Sequence, residues 1–557
     1  MSTFHIADYV IFAISIVASL AIGIYLACSG QRPKTNTQYL TGDRKMHIVP
    51  VAISLVVSFV STIDILGNPA EVYIYGTQYM WYILATVIGI LCGTFLFVPL
   101  YYPLNITSIF QYTRMRFHSK CLEYFVVSLA LLHMVCCLFS TTYINLVYYR
   151  SSSSLSAYSQ RNNDLRALCG LSGRYVNRYL FLYIVSGFPA WASIIICGVT
   201  ATVYTTLGGI KAVVWTDVFQ AGIIILGLVA VVVKGTLEVG SVYDVWEINR
   251  RWNRVQAPDF RFDPTIRLTF WSVCVMNSFL WMTIVGSQSS VQRFISLPSM
   301  KKAKLSTLLI IPGFLLSGML TCTCGVTAFA YYAKKGCDPV NSGILSSPNQ
   351  ILPFFVMEVL DMPGLPGLFI ASLFSASLSS ISTIYNGMSA IIWLNVLTHK
   401  YGHLSTKTQA NITKLCSIGS TINKTIDKPL PGPIHNCSFL GASTRLIDNS
   451  TSDNVMGERD NETLGRLNDD NITLLTGPSD RDRSSFTVMW FYSVSYFYYP
   501  FVGITIVFIV CLLTLPIRGL KSPVPTQKKY LFPCLRRHFG VPNEKDEKRD
   551  QSQIGCE

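Results

Sequence analysis

Five polar side chains, Ser372, Ser375, Ser379, Ser382 and Asn386, recur at spacings of three and four within an apolar run, which places them on one face of a helix. Ser380 and Thr383 widen the stripe. Hydroxyl oxygens are hard ligands, better suited to a hard monovalent cation such as Na+ than to a transition metal. The same stripe also suits plain helix packing, with hydroxyls bonding back to their own carbonyls. A second run, SLVVSFVSTIDILGNPAEVYIYG, carries Ser58, Ser61, Thr62 and Asp64, then Gly67, Asn68 and Pro69. Pro69 lacks the N–H that continues a helix and biases Asn68 away from helical geometry, which predicts a break that frees carbonyls near Ser61 to Asp64 for a cation. A carboxylate such as Asp64 costs about 3 kcal/mol in hydrocarbon, so it requires a partner, a cavity, or a place near enough to the helix end to reach water.

The elements that position these residues are membrane helices. The chain has 557 residues, 50% hydrophobic and 13% charged, which excludes a soluble disordered protein and argues against a soluble enzyme. Residues 9–28, 78–100, 179–207, 268–291, 305–333, 364–398 and 486–515 contain no Asp, Glu, Lys or Arg. Residues 48–66 and 212–233 hold one acid each, Asp64 and Asp217, and 125–149 holds only His133. Each is long enough to cross about 30 Å of hydrocarbon as a helix. Open sheets leave backbone groups unpaired in lipid and the alternation of a barrel is absent, so the expectation is ten helical spans. Asp8, rather than a basic cluster, precedes the first span, so it does not read as a cleavable signal.

The formal charge of +14 resolves by position into loops, so orientation explains it better than nucleic-acid binding. Arg32, Lys34, Arg44 and Lys45 follow the first span; Arg114, Arg116 and Lys120 follow the third; Arg293, Lys301, Lys302 and Lys304 follow the seventh; nine more occupy 518–549. With these facing the cytoplasm, the N-terminus is outside. Most of the sixteen cysteines lie in apolar spans, where they behave as small hydrophobes. Cys337 and Cys437 lie in polar loops and are candidates for a disulfide on an external face. No Cys or His spacing suggests zinc. Six N-x-Ser/Thr sequons, at Asn411, Asn423, Asn436, Asn449, Asn461 and Asn471, fall in the polar stretch 400–485, which marks it as an external glycosylated loop. Asn105 also sits in a sequon, on the expected inside.

The run TVYTTLGGIKAVVWTDVFQAGIIILG (202–227) closely resembles the signature of the sodium/solute symporter family. The broken helix above, SQSSVQRFIS (287–296) and PGLPGLFIASLFSASLSSIS (363–382) support the resemblance. The wording is nearest the sodium-dependent monocarboxylate, multivitamin and iodide transporters, over most of residues 7–396. The resemblance implies an all-α multi-pass fold of two inverted five-helix repeats plus an extra N-terminal helix, with sites where broken helices meet. It implies Na+ as coupling ion, no organic cofactor, and a small organic solute or anion carried by alternating access in the plasma membrane. Carried residue by residue, the sodium site is the backbone near Ser61, the side chain of Asp64 where the family has an uncharged residue, and the hydroxyls of Ser379 and Ser380. Tyr143 borders that site. Gln288 and Ser377 fall at substrate positions. Asp217, beside the LGG turn, is expected to be structural, capping a helix that begins near Trp215. No Arg inside a span is expected to hold a substrate carboxylate.

The domain order that follows is 1–47, the extra helix and its cytoplasmic loop; 48–234, the first repeat; 235–267, an external loop; 268–399, part of the second repeat; 400–485, the glycosylated loop; 486–517, the last span; and 518–557, the basic tail. Two departures stand out: a long basic insertion at about 148–178, and, after Lys400, the lack of about three hydrophobic helices that the family has before its glycosylated loop. Ten crossings from an external N-terminus also put the basic tail outside, so an odd number of helices is missing before Asn411. Three functions remain open: a sodium-coupled symporter, a shortened non-transporting glycoprotein partner, and a membrane-embedded enzyme. The last is poorly supported, since no His cluster, Ser-Lys pair or paired intramembrane carboxylates stand in the spans.

Overall fold

The computed structural model describes residues 5–29, 33, 35–117, 119–137, 190–342, 344–345 and 347–422. Tyr143, the 148–178 insertion, the five sequons from Asn423 to Asn471, the 486–517 span and the 518–557 tail lie outside the described residues. All regular elements among the described residues are helical. The principal ones are α1 (Ile6–Cys28), α2 (Ile48–Phe59), α3 (Thr62–Tyr75), α4 (Tyr82–Tyr101) and α5 (Lys120–Cys137). Ala190–Val239 is divided at Gly209 into α6 (190–208) and α7 (210–239). There follow α8 (Trp271–Val285), α9 (Gln288–Ile295), α10 (Met300–Lys335), α11 (Leu365–Ile391) and α12 (Thr406–Ile422).

Among the described residues six helical stretches are long and apolar enough to cross a membrane, with 48–59 and 271–285 as shorter apolar helices. The expected division at the LGG turn is confirmed by two contacts. The Tyr204 hydroxyl donates to the Leu378 carbonyl, and Asp217 accepts from Ser379, one residue along α11. Thirteen residues in one straight helix would separate Tyr204 and Asp217 by about 20 Å. The chain therefore doubles back at Gly209, whose φ of 58° suits glycine. A Cβ there would meet the Tyr39 carbonyl oxygen at 2.6 Å.

The core is organised around α11, where 78% of an 18-residue apolar stretch is buried, against 17% for α1. The first helix is nonetheless tied to it. Asp8, 2% exposed, accepts at Oδ1 from the backbone N–H groups of Gly364 and Gly367, both at 2.9 Å. A carboxylate at a helix start meets unpaired N–H groups and the positive end of the dipole.

Four expectations need correction. The break in the second span lies at Val60 and Ser61 (ψ 90° and 171°), while Pro69 sits inside α3, its missing N–H accommodated without interrupting the helix. Residues 235–267, expected as a loop, are folded: they contain a helix, Val242–Arg251, and Arg254 donates to the Tyr73 and Ile74 carbonyls at the end of α3. On that helix Arg250 and Arg251 hydrogen-bond Glu247 and hold its carboxyl down at about 2. The polar stretch after Lys400 opens with a helix, α12, rather than a loop, and Thr413 on it donates to Asn36 at 3.0 Å. Asn411, expected as a glycosylation site, is exposed on α12, the helix that Thr413 ties to the segment after α1. Finally, α7 begins at residue 210 rather than near Trp215, so Asp217 caps nothing.

Asn105, the sequon expected to stay unmodified, accepts from Arg44 in the same loop region. Cys337 is disulfide-bonded.

Candidate functional site

The α2–α3 break follows from local chemistry. Ser61 is an N-cap: its hydroxyl accepts from the Ile63 N–H (3.2 Å), and Asp64 at the third helical position accepts from the Ser61 N–H (2.9 Å). This S-x-x-D arrangement is a capping box, which starts a new helix within the span. Val60 N–H still donates to the Val56 carbonyl, whereas the Ser61 N–H has turned to Asp64. The carbonyls of Val57 to Val60, at the end of α2 and its C-cap, therefore have no helical donors.

α11 faces this break along one stripe. Ser58 and Thr383 share a hydrogen bond at 3.0 Å, and Thr62 and Ser377 share one at 2.7 Å. Ser380 stands between 377 and 383 at helical spacing, level with the freed carbonyls. Its hydroxyl is buried, 7% exposed, and has no hydrogen-bond partner among the described residues. An unpaired buried hydroxyl costs free energy, so a ligand that supplies its missing partner is favoured there.

Beside the break lies a second polar centre, built on Asp217, the residue expected to be structural. Asp217 is fully buried on α7 and accepts from Ser379 at Oδ1 (2.7 Å) and from Ser54 at Oδ2 (2.6 Å). Arg293 on α9, 2% exposed, donates to Asp217 (3.2 Å), Thr383 (2.6 Å) and Ser54 (2.7 Å). Four helices are joined through one ion pair. Counting Arg293 among cytoplasmic loop charges was wrong: it is a buried arginine, and its charge is paired with Asp217. No local signal marked it, since its partners Ser54 and Thr383 read as ordinary packing hydroxyls.

A model of the sodium:solute symporter family matches residues 39–146 and 176–421, well over half of the chain. The chain belongs to the sodium:solute symporter family. Human sodium-coupled monocarboxylate transporter 2 is 34% identical over 419 residues, which cover 75% of this chain and 62% of that protein. The sodium-dependent multivitamin transporter of Oryctolagus cuniculus is 35% identical over 392 residues, 70% of this chain and 56% of that one. This symporter-family chain therefore spans about three fifths of the length of the curated relatives it matches. Its fold matches the substrate-bound outward-open state of a Na+-coupled sialic acid symporter with a TM-score of 0.63, at 21% identity, covering 75% of this chain and 81% of that one. The helices thus take the transporter fold expected from the sequence.

Within this family member, the residues expected at the sodium site are brought together only in part. Ser380 faces the break; Ser379 lies one residue away with its hydrogen committed to Asp217; Ser61 and Asp64 cap α3. Gln288 and Ser377, expected at the substrate, are separated. Gln288 packs on Gly387, ten residues or about 15 Å along α11 from Ser377. Its amide donates to the Thr107 carbonyl (2.9 Å) and accepts from the Ile109 N–H (3.0 Å), so both of its ends are spent on the backbone before helix Ile109–Phe117. Ser377 donates to Leu373 and pairs with Thr62.

The capping role of Asp64 carries a prediction. Ser61→Ala and Asp64→Ala each lose about 1 kcal/mol, an expected drop of about 2 °C in melting of the detergent-purified chain. Asp64→Asn, which keeps an acceptor oxygen, loses less. Unchanged melting in Asp64→Asn together with a lost response to sodium would instead make Asp64 a direct ligand.

Proposed function

We propose that this chain is a sodium-coupled symporter of a small organic solute, with Na+ as co-substrate held between the freed carbonyls of Val57 to Val60 and the hydroxyls of Ser379 and Ser380. The observation that carries this reading is the partnerless, buried Ser380 hydroxyl level with a break that presents unpaired carbonyls. Carbonyl and hydroxyl oxygens are the neutral hard ligands that suit Na+. Ser379 donates its hydrogen to Asp217 and keeps oxygen lone pairs for a cation. Of the residues carried over from the resemblance, Asp64 and Ser61 serve here by shaping the break.

Coupling follows from differential binding. Na+ bound at the junction favours the arrangement in which α2, α3 and α11 are packed, and the solute binds that arrangement more tightly. Each net positive charge carried inward contributes about 2.3 kcal/mol per 100 mV, which drives accumulation. The names of the relatives point to a monocarboxylate or a vitamin as solute, and to no enzymatic step. Because Arg293 is neutralised by Asp217, a carboxylate would be held by helix N-termini and hydroxyls rather than by a free arginine. The setting is a plasma membrane, crossed several times, with the positive loops inside.

The test is uptake of a radiolabelled short-chain monocarboxylate by proteoliposomes holding the full chain, with an inward sodium gradient against an equal choline gradient. Accumulation in sodium alone is the expected result. Equal uptake in both sinks the coupling. The alternative reading, a non-transporting glycoprotein partner, predicts glycosylated protein at the cell surface with no uptake in either condition.

A further inference from the structure

On the side of α2 away from α11, a cavity of about 260 Å³ runs between α2, α7 and α10, with Val57, Val60, Ile225 and Leu316 on its walls. It opens outward: Val49, Leu309 and Leu316, also on its walls, are 50%, 38% and 46% exposed. Its one polar lining side chain, Ser317, donates to the Phe314 carbonyl of its own helix. Nothing in the wall asks an occupant for a hydrogen bond, so hydrocarbon fits and a polar solute would lose its hydration uncompensated.

One mouth of this groove is basic. Val49 follows the exposed Lys45 and His47, and Leu309 follows the exposed Lys301 and Lys302. The two segments lie side by side, since the Met46 N–H donates to the Ser296 carbonyl at 3.2 Å. Lys302, Leu305, Leu309, Gly313 and Leu316 recur at spacings of three and four, so an exposed lysine heads the stripe that enters the groove, about 10 Å along α10 from Leu309. Across 42–48 and 296–305 Asp43 is the one acid against Arg44, Lys45, Lys301, Lys302 and Lys304. Among the described residues Lys45, Lys301 and Lys302 form no ion pair, while Lys304 leans over the Phe95 ring.

We propose that this groove seats one acyl chain of an anionic phospholipid, whose headgroup is held by Lys45, Lys301 and Lys302. Hydrocarbon fills the apolar wall and the negative headgroup meets the unpaired lysines at its mouth, the pairing that basic pockets at membrane surfaces make. The bound chain packs on Val57 and Val60, the backs of two residues whose carbonyls are freed at the α2–α3 break. It thereby braces the break; this consequence alone rests on the sodium reading, and the binding does not.

The test is photolabelling of the full chain in nanodiscs by phosphatidylserine or phosphatidylcholine carrying a diazirine on one acyl chain, with the labelled peptides mapped. Phosphatidylserine is expected to label 49–60 and 309–317 at least fivefold more than phosphatidylcholine. Labelling is expected to fall by about fivefold for each of Lys301→Gln and Lys302→Gln, both at exposed positions. Leu316→Trp, which fills the groove and leaves the lysines in place, is expected to remove the label from these peptides. Equal labelling by the two lipids, indifference to the lysine substitutions, or undiminished label in Leu316→Trp would overturn the proposal. Labelling of the same peptides by a diazirine sterol in place of phosphatidylserine would overturn it in favour of a sterol site. No arm depends on sodium or uptake, so the proposal can fail while the transport reading stands, and the reverse.

Discussion

Asp217→Ala is expected to leave little folded protein, because it strands the Arg293 guanidinium in a fully buried site among Ser54, Thr383 and the Ser289 carbonyl. Truncating one partner of a buried pair costs about 3–5 kcal/mol, a large share of the roughly 5–15 kcal/mol that holds a typical protein folded. Arg293→Met is expected to do comparable harm by leaving the Asp217 carboxylate without its counter-charge. The informative variant is the double replacement Asp217→Asn with Arg293→Met, which removes both charges and keeps acceptor and donor groups for Ser54 and Ser379. Its melting in detergent should recover well over half of the loss seen in the worse single variant, since neighbours in one network are non-additive. A double variant that is worse than both singles would show that the two side chains act independently.

Ser380→Ala is expected to separate sodium binding from folding. The hydroxyl has no partner in the fold, so its removal should leave melting in choline chloride unchanged or slightly raised. With one ligand gone, half-maximal uptake should need about tenfold more sodium, corresponding to roughly 1.4 kcal/mol, and stabilisation of the purified chain by sodium should shrink accordingly. Ser379→Ala should behave differently. Its hydroxyl donates to Asp217 as well as offering lone pairs to the cation, so melting falls already in choline, and stabilisation by sodium shrinks too. Matching melting curves for the two alanine variants across both salts would refute the distinction drawn between these neighbouring serines.

How far the sequence reveals this site depends on which signals are local. The serine stripe on α11 was legible because helical periodicity alone fixes which residues share a face; Ser372 and Ser379 of that stripe meet α7, while its edge residue Thr383 and the neighbouring Ser377 meet α2 and α3. The break was legible as an interruption but was displaced to Pro69. Proline is the more conspicuous breaker, whereas the capping box of Ser61 and Asp64 does the breaking with residues that also look like cation ligands. Arg293 was illegible as a core residue because linear hydropathy assigns a charge near the end of an apolar run to the nearest loop. Only the doubling back at Gly209 brings Asp217 beside it, and that contact spans 76 residues of sequence. Gln288 was placed by resemblance and not by any local signal, and its amide is committed to the backbone of Thr107 and Ile109.

The tie between Asp8 and the start of α11 has a consequence for how the chain is made. The partners are 356 residues apart, so the first helix enters the bilayer long before Gly364 and Gly367 exist. At about 5–20 residues per second, its carboxylate waits roughly 20–70 s for the N–H groups that will hold it. During that interval Asp8 must stay at the membrane surface, where water serves in place of the missing donors. The first helix can settle to its final depth only when the ninth span emerges, which makes its docking a late step of biogenesis.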